Sequence, residues 1–159
     1  MVKIVTLIDI NRAIVDNITL ALANTEFKDV EFASTDIVEE ITRPSFYVDI
    51  LKNKTNLMLQ NARERNLELQ LFYFAKNRYK SKLEVLEMQD LLSDIFISSL
   101  KVTEDFYIHI HGCEFDINKK DGYLILNLEL YVLEDITEFM HKDENQEWME
   151  EMDIETKIN

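Results

Sequence analysis

Along Tyr123–Leu133, Leu124, Leu126, Leu128, Leu130 and Val132 fall on one side of a period-two pattern. Tyr123, Ile125, Asn127, Glu129 and Tyr131 fall on the other. A strand sends successive side chains to opposite faces, so this predicts a strand with one dry side and one mixed side. Ile125, Tyr131 and Leu133 are apolar where a monomeric sheet places solvent-facing polar groups. That pattern predicts a sheet whose second face or edge meets another protein.

Similar patterns parse the rest of the chain. Ile10, Ala13, Ile14, Asn17, Ile18, Ala21 and Leu22 recur at helical spacing and predict an amphipathic helix over Ile8–Asn24, with Arg12, Asp16 and Thr19 on its polar face. A short strand follows over Asp29–Ala33. Pro44 drives Arg43 into extended backbone and introduces a strand over Ser45–Leu51, rich in aromatic and β-branched residues. In Asn66–Ala75, Leu67, Leu69, Leu71 and Tyr73 alternate with Glu68, Gln70, Phe72 and Phe74. Between these strands, residues 52–65 carry a local basic excess and no turn glycine. Hairpin connections usually take ~2–5 residues, so a link of about 14 predicts an arm or binding loop, with a plain surface loop as the alternative. Asn53, Lys54, Asn56, Leu57, Met58 and Arg63 are its candidate contact residues, joined by Tyr131 on the mixed face of the later strand.

Ser81-Lys-Leu-Glu84 has the spacing of a capping box and predicts a helix running to about Leu100, with Val85, Met88, Leu92, Ile95 and Phe96 on one face. A strand over Phe106–His111, a bend at Gly112 and a hairpin turning at Asn118–Gly122 complete the series. Asp121-Gly122 is a strong turn signal because glycine adopts the positive φ that other residues resist. The order α-β-β-β-α-β-β-β predicts an α+β domain over residues 1–133, a mainly antiparallel sheet with two helices packed on its leucine face. Residues 134–159 read as an acidic C-terminal extension.

Composition narrows the class. A chain of 159 residues that is 47% hydrophobic, with 2 Gly and 1 Pro, predicts one core of regular elements and argues against low complexity or disorder. Cys113 is the single cysteine, so no intrachain disulfide forms. Met1–Ile10 lacks a basic leader and a cleavage site, and no window approaches the ~20 apolar residues of a membrane span. The expectation is a cytosolic product. Of the net charge of −14, residues 134–159 contribute −8, from ten acidic and two basic side chains. Such a chain repels phosphates and anionic bilayers, so a charged partner is basic.

Candidate chemistry is sparse. His109, His111 and Cys113 would share a face of an unbroken strand and are the weak candidates for a metal, but positions i and i+4 lie ~13 Å apart on a flat strand, too far for shared ligation. There is no phosphate-cradling glycine loop, nucleophile elbow or metalloprotease helix. Glu84, Glu87, Asp90 and Asp94 read as a solvated helix face. The expectation is therefore no enzyme, no metal and no cofactor. In the extension, Trp148 and Met152 are one helical turn apart, so Asn145–Glu155 reads as a short amphipathic helix with an aromatic anchor. Glu144, Glu147, Trp148, Glu151 and Met152 are its candidate docking residues on a basic surface of a neighbouring protein.

Several strings, in order, resemble one known family: Ile10-Asn-Arg-Ala-Ile14, Arg43-Pro-Ser-Phe-Tyr-Val48, Arg65-Asn-Leu-Glu-Leu-Gln-Leu-Phe-Tyr-Phe74 and Asp121-Gly-Tyr-Leu-Ile-Leu-Asn-Leu-Glu-Leu-Tyr-Val132. Over about Ile8–Leu133 the chain resembles the tail terminators of contractile-tailed phages and phage-tail-like bacteriocins of Gram-positive bacteria. The resemblance implies a virion or phage-tail-like particle component, assembled in the host cytoplasm as a homohexameric ring. Such a ring caps the tail tube, stops tube and sheath polymerisation and meets the neck, collar or capsid. The extension after Glu134 is longer and more acidic than that pattern. The alternatives are another neck or head-tail connector, an acidic DNA-mimic inhibitor, and an enzyme.

Overall fold

The computed structural model describes residues 4–33 and 41–137. Two helices, α1 (Leu7–Leu22) and α2 (Lys82–Ile95), accompany six strands: β1 (Glu31–Phe32), β2 (Ser45–Met58), β3 (Ala62–Phe74), β4 (Ser99–Thr103), β5 (Phe106–Asn118) and β6 (Tyr123–Asp135). They form one sheet in the order β1-β2-β3-β6-β5-β4, antiparallel except for the short parallel β1–β2 pair. This is the expected α+β plan. No described helix is long and apolar enough to cross a membrane.

The leucine face carries the core. Leu124, Leu126, Leu128, Leu130 and Val132 of β6 and Leu67, Leu69, Leu71 and Tyr73 of β3 are buried together with Ile10, Ile14 and Ile18 of α1 and Val85, Met88 and Leu92 of α2. Each such aliphatic side chain contributes on the order of 1.5–3 kcal/mol by leaving water. The period-two and helical periods thus converge on one dry layer.

Four local expectations need correction. Residues 52–65 are not a loop: β2 continues to Met58 and β3 begins at Ala62, paired throughout as Met58↔Ala62 to Lys52↔Glu68. Both faces of that part of β2 are exposed, so no apolar period marked it as strand. Nor does the turn need glycine, because Leu59 itself takes φ 55°. The second helix stops at Ile95, and Ser99–Thr103 is an edge strand whose buried Leu100 pairs with Ile108. Chain reversal after Phe96 lets an alternating Leu100 and Val102 join the sheet. Gly112 does not end its strand; β5 runs through it with a register irregularity between Ile110 and Gly112.

The fourth correction concerns capping. Ser81 makes no side-chain cap bond. Glu84 turns instead to the chain before the helix, accepting hydrogen bonds from the Tyr73 hydroxyl (3.1 Å) and the Lys76 backbone N–H (3.0 Å). A reciprocal box sits at α1, where Thr6 Oγ1 accepts from the Asp9 N–H (3.1 Å) and the Asp9 carboxylate accepts from the Thr6 N–H (3.0 Å).

Candidate assembly surfaces

One end of the sheet is locked by charge. β6 extends two residues past Leu133, and Glu134 turns into the interior between the β2–β3 end and the segment before α1. Its Oε1 meets Arg65 at 2.6 Å and Arg63 at 2.9 Å, while Oε2 accepts the Val5 N–H at 2.8 Å. Arg65 also donates to the Val5 carbonyl. A buried carboxylate is tolerable only when its lone pairs are taken up in this way. Arg63, a candidate contact residue, is thus engaged inside its own chain.

Beyond this lock stands the turn. Leu57, Met58 and Leu59 are consecutive and exposed, Leu59 at 87%. A left-handed leucine at a fully wet tip costs roughly 1–2 kcal/mol relative to glycine, so the turn keeps a side chain that folding does not need. Asn53, Lys54 and Asn56 lie on the exposed flank of β2, where Asn53 Oδ1 accepts from the Thr55 hydroxyl (3.1 Å). β1 pairs only with Ser45 and Phe46, so among the described residues the outer edge of β2 from Val48 to Met58 has no strand partner. Among the described residues the opposite edge is likewise open along Cys113–Asn118, because β4 pairs no further than His109. Open edges carry unpaired N–H and C=O groups and favour strand addition.

The face away from the helices is zoned rather than evenly apolar. Near the Asn118–Gly122 turn, Tyr47, Phe72, Phe74 and Tyr123 form an aromatic cluster, with the Arg43 guanidinium over the Phe74 ring. Arg43 also donates to the carbonyls of Ala75 (2.9 Å) and Gly122 (3.0 Å), which ties this turn to the end of β3. Mid-sheet, Gln70 donates to Asn127 (2.9 Å) and Asn127 to Asp116 (3.2 Å). At the far end the Tyr131 hydroxyl donates to Glu64 (2.8 Å), and that bond holds its phenol above the usual range. Leu133 is exposed.

His109 and His111 lie on this same face, their rings 4.9 Å apart, with His111 against Tyr131. Cys113 does not join them. The irregularity at Ile110/Gly112 shifts the alternation, so Cys113 pairs with Leu128 of the leucine face, where it is itself exposed. Among the described residues no three metal-ligating side chains cluster. Partial desolvation against the sheet raises the Cys113 thiol. Glu144, Glu147, Trp148, Glu151 and Met152, with the helix expected over Asn145–Glu155, lie outside the described residues.

Two grooves flank α2. One is polar, lined by Glu26, Glu87, Lys76 and Lys80 beside the already committed Glu84. The other, about 600 Å³, lies between the start of α2 and the end of β5. Sequence reasoning singled out Ser81 and Val85 of this lining for other roles and passed over Tyr79, Leu83, Leu86 and Ile117, which lie outside the core stripes it followed. The phage tail terminator protein family matches residues 9–140, which takes in all but the first two residues of α1, the whole of α2 and the whole sheet.

The chain belongs to that family. It is a structural component of a phage tail and works against other tail proteins. No curated protein matches it. The family match ends at residue 140, so most of the acidic extension lies beyond the shared terminator domain.

Proposed function

We propose that this chain forms a closed ring of identical subunits, a hexamer in the simplest case, on the head-proximal end of a tail tube. There it stops tube and sheath growth and presents a surface to the neck, collar or capsid. It does so as a building block of a contractile particle or headless bacteriocin assembled in the host cytoplasm, without catalysing a reaction. The observation that carries this reading is the β2–β3 end of the sheet: three exposed apolar residues at a turn where Leu59 is left-handed, beside a β2 edge that among the described residues has no strand partner from Val48 to Met58. The second open edge, on β5, supports ring closure, since a head-to-tail ring needs two different surfaces on each subunit.

The test is genetic and visual. Leu57→Ser with Leu59→Gly leaves the fold intact, and particles carrying it show overlong tubes by electron microscopy. Tubes of normal length would remove the turn from the capping surface. Normal tubes without heads would instead make the chain a connector.

A further inference from the structure

The groove between α2 and β5 has an unusual lining. Its apolar floor and wall are Tyr79, Leu83, Leu86 and Ile117, of which Leu83 is 73% exposed. Its rim is Lys80, Lys82 and Lys119, and among the described residues no carboxylate lines it. Among the described residues none of these lysines forms an ion pair. This is a basic, apolar site on a chain of net charge −14. Its complement lies in the same sequence: Trp148, Met149, Met152 and Ile154 are set among Glu144, Glu147, Glu150, Glu151, Asp153 and Glu155.

We propose that the groove receives the acidic segment around Trp148 from a second copy of this chain, Trp148 and Met152 filling the apolar floor while the flanking carboxylates meet the lysine rim. Reach favours the groove of another copy. Ile117 in the groove pairs with Leu124 at the start of β6, and the strand then runs to Asp135, eleven residues on. At ~3.3 Å per residue the end of β6 lies about 36 Å from the groove. From Thr137, Trp148 is eleven residues further, a span of at most ~40 Å with the link pulled straight. A straight link only just spans the distance to its own groove, and a helical stretch in it, at ~1.5 Å per residue, leaves it short. The groove of a neighbouring copy is not fixed at that separation, and donor end and acceptor groove sit at opposite ends of the sheet, as head-to-tail joining requires. The inference rests on the ring reading for closure of the chain of copies, but the docking itself is separately testable.

Trp148 is the single tryptophan, so its emission in the full-length protein reports docking directly. The expected result is a blue shift that grows with protein concentration, tracks self-association in sedimentation, and weakens by roughly tenfold or more when salt screens the lysine rim. Leu83→Glu with Leu86→Glu in the groove, and Trp148→Ala with Met152→Ala in the extension, each weaken self-association at least about tenfold while thermal melts stay unchanged. Mixed together, the two variants form a one-to-one complex, since one keeps a working segment and the other a working groove. A shift independent of concentration, no shift at all, association only on adding another tail protein, or a mixture that stays monomeric would each overturn the proposal. Tubes of normal length in cells carrying either variant would separate the two readings, leaving the capping ring in place without this strap.

Discussion

Replacing Glu134 by alanine tests the charge lock at the end of the sheet. The Arg65 side chain is 6% exposed and that of Arg63 is 26% exposed. Without the carboxylate, Arg63 can turn toward water at a cost near that of a surface pair, about 0–1 kcal/mol. Arg65 cannot, and removing one partner of a buried pair costs about 3–5 kcal/mol, a figure that includes the orphaned Val5 N–H. Against a total stability of about 5–15 kcal/mol this is a large loss, equivalent to a fall in Tm of roughly 6–20 °C. Urea unfolding at neutral pH measures it. Glu134→Gln keeps an acceptor for Val5 and loses about half as much. Arg65→Met with Glu134→Leu, which removes both charges from the interior, is less damaging than the sum of the two single changes. A loss below about 1 kcal/mol for Glu134→Ala, or simple additivity in the double variant, would refute the lock.

Thr6→Ala removes half of the capping box on α1 and costs about 1 kcal/mol, whereas Ser81→Ala, whose hydroxyl caps nothing, stays within about 0.5 kcal/mol in the same unfolding assay. Gly122→Ala places a side chain at φ 65° with its Cβ 2.6 Å from the Arg78 carbonyl oxygen, so it costs about 2 kcal/mol or more. Leu59→Gly relieves the left-handed turn and stabilises the isolated chain by up to about 1 kcal/mol, offset in part by the entropy of glycine. Burial, reinforced by Glu84, pushes the Tyr73 phenol well above its usual value near 10. The unfolded chain therefore releases that proton first, stability falls as pH rises above about 10, and Tyr73→Phe flattens the alkaline limb of a stability–pH curve.

The layer architecture was legible in the sequence because burial imposes a period. Leu124 to Val132, Leu67 to Tyr73 and Ile10 to Ile18 each repeat at the spacing of their element, and each is buried as its period requires. Asp121-Gly122 announced its turn for the same kind of reason, a local backbone demand met by one residue type. The ordered strings that resemble tail terminators were legible too, and the family match covers them.

What tertiary structure decided is everything that depends on who lies across the sheet. Residues 52–58 are strand only because β3 pairs with them; with both faces wet, their side chains record nothing of it. Glu84 abandoned its cap for Tyr73 and Lys76, partners that no local spacing announces. Glu134 looked like the first residue of an acidic extension, and only the meeting of β6, β3 and Val5 made it an interior ion. The basic groove joins Tyr79 to Ile117 across a helix and two strands. Periodicity records how much of each residue is buried, whereas partners at long separation are chosen by the packing of the whole chain.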